Sequence, residues 1–287
     1  MGKLSEFLSS SSNNHEQQPP PPTYHESKIP NHNYSHTQQP SSSSFGVSTY
    51  QQHQQLPPPE FPHLFACLHL GRSDRIRLIN LPSNSIPTVE AAIRKVWLAG
   101  IQNAGPYHKG YEWKLSGNPW HGQGPEAIHS RRLLCHVLHA LSSIGWDLHM
   151  ACDLTKKGWD KDTLILHSVQ PKQKFYFSVS FNQGDKIRII DPPDENVKNA
   201  FIRAVRTWPL GIQSEYEKEP GAHQIKLRGN PWWTSDGTQV VEARILACTV
   251  LSAMESVGFE LVGSVDMSMG NGDRSYDLDT WFFAQKM

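Results

Sequence analysis

The chain has 287 residues, room for about two ordinary domains. Its formal net charge is zero, which excludes coating nucleic acid or an anionic membrane through global charge alone. Apolar residues make up 37% of it, below a typical globular chain, and the deficit is concentrated at the start. The cysteines Cys67, Cys135, Cys152 and Cys248 have no Cys-x-x-Cys spacing, so they read as small apolar core residues of a reducing compartment. No stretch has the length of a membrane span and the first residues lack the apolar run of a signal peptide. The expectation is a cytoplasmic protein without cofactor or metal.

Residues 1–60 are dominated by Ser, Gln, Pro, His and Asn. Such a segment cannot bury enough apolar area to offset its ordering entropy, and a disordered tail is expected. It contains Pro19-Pro20-Pro21-Pro22-Thr23-Tyr24, a Pro-Pro-x-Tyr motif in which consecutive prolines preform a polyproline II helix. The motif resembles the ligands of WW domains, including those of Nedd4-type ubiquitin ligases. That resemblance implies Pro21, Pro22 and Tyr24 as the contacting residues and a WW-domain protein as partner.

After the tail come two alternating segments, Phe65 to Leu70 and Arg75 to Leu81, joined by the polar turn Gly71-Arg72-Ser73-Asp74 and stopped by Pro82. Apolar residues at three- and four-residue steps predict a helix over Val89 to Leu98, closed at Gly100. A third strand follows over Tyr111 to Leu115, then a long helix over Pro125 to Ile144 and two final strands, Trp146 to Cys152 and Thr163 to His167. The sequence then repeats itself. Lys114-Leu115-Ser116-Gly117-Asn118-Pro119-Trp120 returns as Lys226-Leu227-Arg228-Gly229-Asn230-Pro231-Trp232, and Asp74-Arg75-Ile76-Arg77 as Asp185-Lys186-Ile187-Arg188. Strands over Phe175 to Phe181 and Lys186 to Ile190, a helix over Glu195 to Trp208, a strand over Gln224 to Leu227, a helix over Val240 to Val257 and strands over Phe259 to Val265 and Thr280 to Ala284 complete the second copy. The period is that of a whole domain, not of a solenoid unit.

The fold class is therefore α+β: a tandem duplication of a ββαβαββ unit, a mainly antiparallel sheet with helices on one face. The first copy is expected over residues 61–169 and the second over 174–287. The joint, Ser168 to Lys174, is too short for a flexible tether, so the copies are expected to pack together with approximate two-fold symmetry.

Gly-Asn-Pro-Trp is the most specific local signal, and its simpler reading is a turn that the fold needs twice. Its functional reading is a platform of Trp120, Trp232 and Trp233. Strand periodicity puts Arg75, Arg77, Lys114, Lys186, Arg188 and Lys226 on the helix-free faces, a candidate surface for phosphate ligands or single-stranded nucleic acid, or a solvated face balanced by acids such as Glu112. Asp153, Asp160 and Asp162 match Asp266, Asp277 and Asp279 near the last strand turn, where aspartates bond their own backbone more often than they hold a cation. Arg131 and Arg244 occupy equivalent helix positions suited to a nearby carboxylate or a phosphate.

No Gly-x-Ser-x-Gly elbow, phosphate-binding Gly-rich loop or His-Glu-x-x-His motif is present. The leading expectation is a non-enzymatic intracellular adaptor, with a repeat body that binds a protein or lipid partner and a tail that recruits WW-domain proteins. A phosphate-ligand or nucleic-acid binding module on the basic sheet face is the alternative, and an enzyme with a site between the repeats is the third.

Overall fold

The computed structural model describes residues 64–121, 126–155, 161–267 and 278–287. The Pro-Pro-x-Tyr residues Pro21, Pro22 and Tyr24, and the aspartates Asp160 and Asp277, lie outside them. The described residues belong to one compact unit, Pro57–Met287.

The first copy runs β1 (Phe65–Gly71), β2 (Arg75–Ile79), α1 (Ser85–Val96), β3 (Ile101–Tyr107), β4 (Gly110–Leu115), a 3-10 turn (Pro119–His121), α2 (Glu126–Ser143), β5 (Trp146–Cys152) and β6 (Thr163–Ser168). The second runs β7 (Tyr176–Asn182), β8 (Lys186–Ile190), α3 (Glu195–Val205), β9 (Ile212–Glu219), β10 (Ala222–Leu227), α4 (Gly237–Ser256), β11 (Phe259–Val265) and β12 (Thr280–Gln285). Each copy folds into one six-stranded sheet, ordered β3-β4-β2-β1-β6-β5 in the first and β11-β12-β7-β8-β10-β9 in the second. All of these pairings are antiparallel. The α+β class and the tandem duplication are as expected, and each copy carries one strand more than the pattern announces. The added strands, β3 and β9, are sheet edges. Gly105 and Pro106 in β3, and the Glu and Lys residues of β9, are tolerated there because an edge strand need bond on one side only and is protected by charge.

Local chemistry explains the element ends. Helix α1 begins before Pro87 because a proline in the first turn lacks only an N–H that would have no helical partner. Helices α3 and α4 are capped by Asp194 and Asp236, whose carboxylates accept from the amides of Val197 and Gln239. The duplicated turn acts as a rivet. Gly117 and Gly229 both have φ +79°, Trp120 N donates to Ser73 O and Trp232 N to Gly184 O. The indole N–H groups donate to Arg75 O and Lys186 O. In both copies the turn thus rivets the tip of the central hairpin, β1–β2 or β7–β8, to the end of the neighbouring strand that leads into the long helix.

The core shows how the copies join. Leu68, Leu70, Ile76 and Leu78 of the first sheet pack with Val89 and Ile93 of α1 and with Leu134, Leu138 and Leu141 of α2. The same cluster includes Tyr176, Val265, Phe282 and Ala284 of the second sheet. Phe177, Val179, Phe181 and Phe283, which point the other way, pack with Phe201 of α3 and Leu246 and Val250 of α4. Helix α2 therefore lies between the two sheets, while α4 has a sheet on one side only. Twelve of the 18 residues of α2 are buried, against four of the 20 in α4. This corrects the two-fold expectation: the copies stack head to tail, with the helix side of the first against the helix-free side of the second. No described helix is long and apolar enough to cross a membrane.

Trp120→Ala is expected to lower the unfolding free energy by about 3–5 kcal/mol, because its ring is fully buried. Trp232→Ala should cost less, since that ring is half-buried. Urea unfolding of the two variants provides the comparison.

Candidate functional site

The sequence-derived residues occupy three separate places. Trp120 is buried, Trp232 is half-buried and Trp233 is exposed, and both Trp120 and Trp232 spend their indole N–H groups on backbone carbonyls. Arg75, Arg77 and Lys114 lie on the helix-free face of the first sheet. There Glu112 accepts from Arg75 Nη1 at 2.9 Å and from Arg77 Nε at 2.6 Å, and the Arg77 guanidinium sits 4.4 Å from the centre of the Tyr107 ring. Lys186, Arg188 and Lys226 take the same positions in the second sheet, where Arg188 is buried and its Nη2 donates to Gln224 Oε1 at 2.6 Å. Lys186 bonds Gln183 and Lys226 pairs with Asp185 at 3.5 Å. The six basic residues thus stand on two separate sheet faces.

The inter-copy seam holds most of the polar chemistry. Arg131, buried on α2, donates from Nε to Thr280 Oγ1 at 3.1 Å and from Nη1 to Ala127 O. Arg132 forks onto Asp191, with Nε 3.0 and 2.8 Å from the two carboxylate oxygens. It also reaches Glu219 and donates to Pro220 O across the tip of the β9–β10 hairpin. Glycine is required at that tip: Gly221 has φ +77°, and a Cβ there would stand 2.5 Å from Asp191 Oδ1 and 3.3 Å from Arg132 Nη2. Ile128 packs with Ile190 and Ala222. Burial pushes the Cys135 thiol well above the usual cysteine range, with Asp191 adding to the shift. The joint is pinned as well: Lys172 N donates to Ser142 O, and Lys174 Nζ pairs with Asp147 at 2.5 Å.

The aspartates meet at the same seam. Asp162 N donates to Asp266 O, and Asp266 N donates to Asp162 Oδ2 at 2.9 Å, which ties one copy to the other. Asp279 accepts from Ser264 Oγ, and Asp153 accepts from the amide of Thr155 two residues on. Burial raises the pKa of Asp162, with the charges of Asp279 and Asp153 adding to it. Among the described residues no group of three or more His, Cys, Asp or Glu side chains is arranged to hold a metal ion.

One surface was missed by motif reading. The outward face of α4 forms a shallow open depression lined by Val240, Val241, Arg244, Ile245, Cys248, Thr249 and Ser252. Val241 is 57% and Ile245 52% exposed. Arg244 is exposed here and donates to Val240 O of its own helix, whereas its counterpart Arg131 is buried. The signal was present in sequence: α4 has apolar residues around most of its circumference, more than one sheet can cover.

Comparison with known proteins fits the duplication. A family model for a single domain matches residues 64–167 and again 175–284. No curated protein matches the chain. A crystal structure of a conserved kinetoplastid-specific protein from Trypanosoma cruzi aligns over 39% of this chain and 95% of that one, at 18% identity and a TM-score of 0.28.

Arg132→Ala should destabilise the protein by about 2 kcal/mol, as expected for hydrogen bonds to a charged partner, and chemical denaturation measures it. The raised pKa of Asp162 makes a second prediction. The folded chain holds this proton more tightly than the unfolded chain does, so the associated stability is fully present below the ordinary aspartate pKa of about 3.9. It is lost as pH rises through the raised value. Asp162→Asn keeps an acceptor for Asp266 N and should flatten that part of a melting-temperature profile against pH; an unchanged profile contradicts the assignment.

Proposed function

The chain belongs to the family whose domain it carries twice, and we propose that it is a non-enzymatic cytoplasmic adaptor, with a rigid double-domain body that docks a protein and a tail that recruits WW-domain proteins through Pro21, Pro22 and Tyr24. The exposed apolar face of α4 carries the body half of this reading. Half-exposed Val241 and Ile245 on one helical strip form the kind of surface that protein partners cover. A lipid surface fits less well, because a membrane-lying helix presents a polar face rich in Lys and Arg, and Arg244 is the one basic residue of α4. The tail half rests on the Pro-Pro-x-Tyr motif, whose prolines preform the conformation that an aromatic groove binds. A phosphate ligand on the first sheet would have to displace Glu112 from Arg75 and Arg77.

Capture of the full chain on a panel of immobilised WW domains is the test. Binding by the native chain and loss of at least about tenfold in affinity with Tyr24→Ala support the recruiting role. Capture that Tyr24→Ala leaves unchanged removes it.

A further inference from the structure

We propose that the partner of the α4 face is a second copy of this chain, which lays the helix-free face of its first sheet on α4 and repeats between molecules the contact that the two copies make within one. The proposal rests on reading that face as a protein-docking surface and adds what docks there. It starts from the duplication itself. Within the chain, the outward face of α2 is covered by the helix-free face of the second sheet. The equivalent helix face, on α4, and the equivalent sheet face, on the first sheet, are both left open. A head-to-tail contact has two unlike halves, and this chain carries one unused example of each.

The open residues correspond position by position to the covered ones. Ile128 is buried against Ile190 and Ala222. In the other pair of faces these places belong to Val241 on α4 and to Ile79 and Gly110 on the first sheet, and Ile79 is 38% exposed. Arg132 is held by Asp191 and Glu219. Its place on α4 is taken by Ile245, while the place of Asp191 is taken by Asn80, both with positive φ. The place of Glu219, opposite the first residue of the next strand, is taken by Tyr107, which is 41% exposed. Helix and sheet have therefore changed together: where the helix has Arg the sheet has two acids, and where the helix has Ile the sheet has an amide and an aromatic ring. On the open sheet both residues are held in place, Asn80 donating to Phe65 O and Tyr107 lying under the Arg77 guanidinium. Nor do the basic residues of the first sheet oppose coverage, since Arg188 with Gln224 is buried on the helix-free face of the second sheet where Arg77 with Glu112 stands in the open first sheet. The same correspondence sets Cys248 of one chain toward Cys67 of the next, as Cys135 lies beside Ser178.

Sedimentation equilibrium of the purified full chain is the test, with charge exchange as its control. The native chain is expected to show a weight-average mass that rises with concentration. Ile245→Arg should hold the mass at one chain, and so should Tyr107→Glu with Asn80→Asp, which alters the opposite face. Mixing the two variants rebuilds the Arg132 cluster between molecules and should restore association by about tenfold or more over either alone. Oxidation with copper phenanthroline should then link chains through Cys67 and Cys248, and Cys248→Ser should abolish the link. A native chain that stays a monomer up to about 100 µM, or association that ignores Ile245→Arg and is not rescued by the mixture, overturns the proposal, including the case in which the tail or an unrelated protein covers α4. WW-domain capture read on the same samples separates this failure from failure of the adaptor reading, because the tail motif plays no part in the contact.

Discussion

Burial of α2 on two sides is the constraint on which the rest of the structure depends. A helix set on one sheet needs an apolar stripe and can leave its other face to water. Helix α2 leaves only a narrow stripe at His129, His136 and His139 to water: Leu134, Leu138 and Leu141 serve the first core, while Ile128, Arg131 and Arg132 face the second sheet. Burying guanidinium groups is costly unless they are paired and bonded. The second sheet supplies a hydroxyl acceptor for Arg131 in Thr280 and carboxylates for Arg132 in Asp191 and Glu219, and Gly221 keeps the hairpin tip clear for Arg132.

From this follows the inequality of two copies built on one plan. The residues that maintain the unit match in kind: the Gly-Asn-Pro-Trp turns, the indole bonds to the second strand, and the positive-φ glycines after the first helix. The residues that face outward from the unit differ, because one long helix lies inside the molecule and the other on its surface. Arg131 and Arg244 illustrate this: the same side chain at the same helical position bonds across a buried seam in one copy and its own helix at the surface in the other. Function is then to be sought on the faces where the copies diverge.

Much of the unit was legible in the sequence. Hairpin turns, proline stops and helical periodicity placed most elements, since each depends on local chemistry. The strands β3 and β9 were not legible because they bury no residue and carry no apolar alternation, unlike β5 and β11, which are also sheet edges but bury Trp146, Leu148, Phe259 and Val265. The stacking was hidden for a different reason. By composition α2, with Arg131, Arg132 and His136, reads as the more solvated long helix, and α4, with Val241 and Ile245, as the more buried one. The structure reverses that order, because polar groups on α2 find partners in the other copy, which no single-segment pattern reports. A comparison of the copies could have raised it: the exchange of Arg132 for Ile245 is accompanied by exchange of Asp191 for Asn80 and of Glu219 for Tyr107.

If α2 joins the two sheets, the second copy cannot lose its structure without exposing the first core, nor the first without baring the apolar residues that the second sheet contributes to that core. Differential scanning calorimetry of the full chain tests this most directly. The expected result is one transition whose calorimetric and van 't Hoff enthalpies agree. Two resolved transitions, or a calorimetric enthalpy well above the van 't Hoff value, would mean that the copies unfold independently and that α2 does not join them.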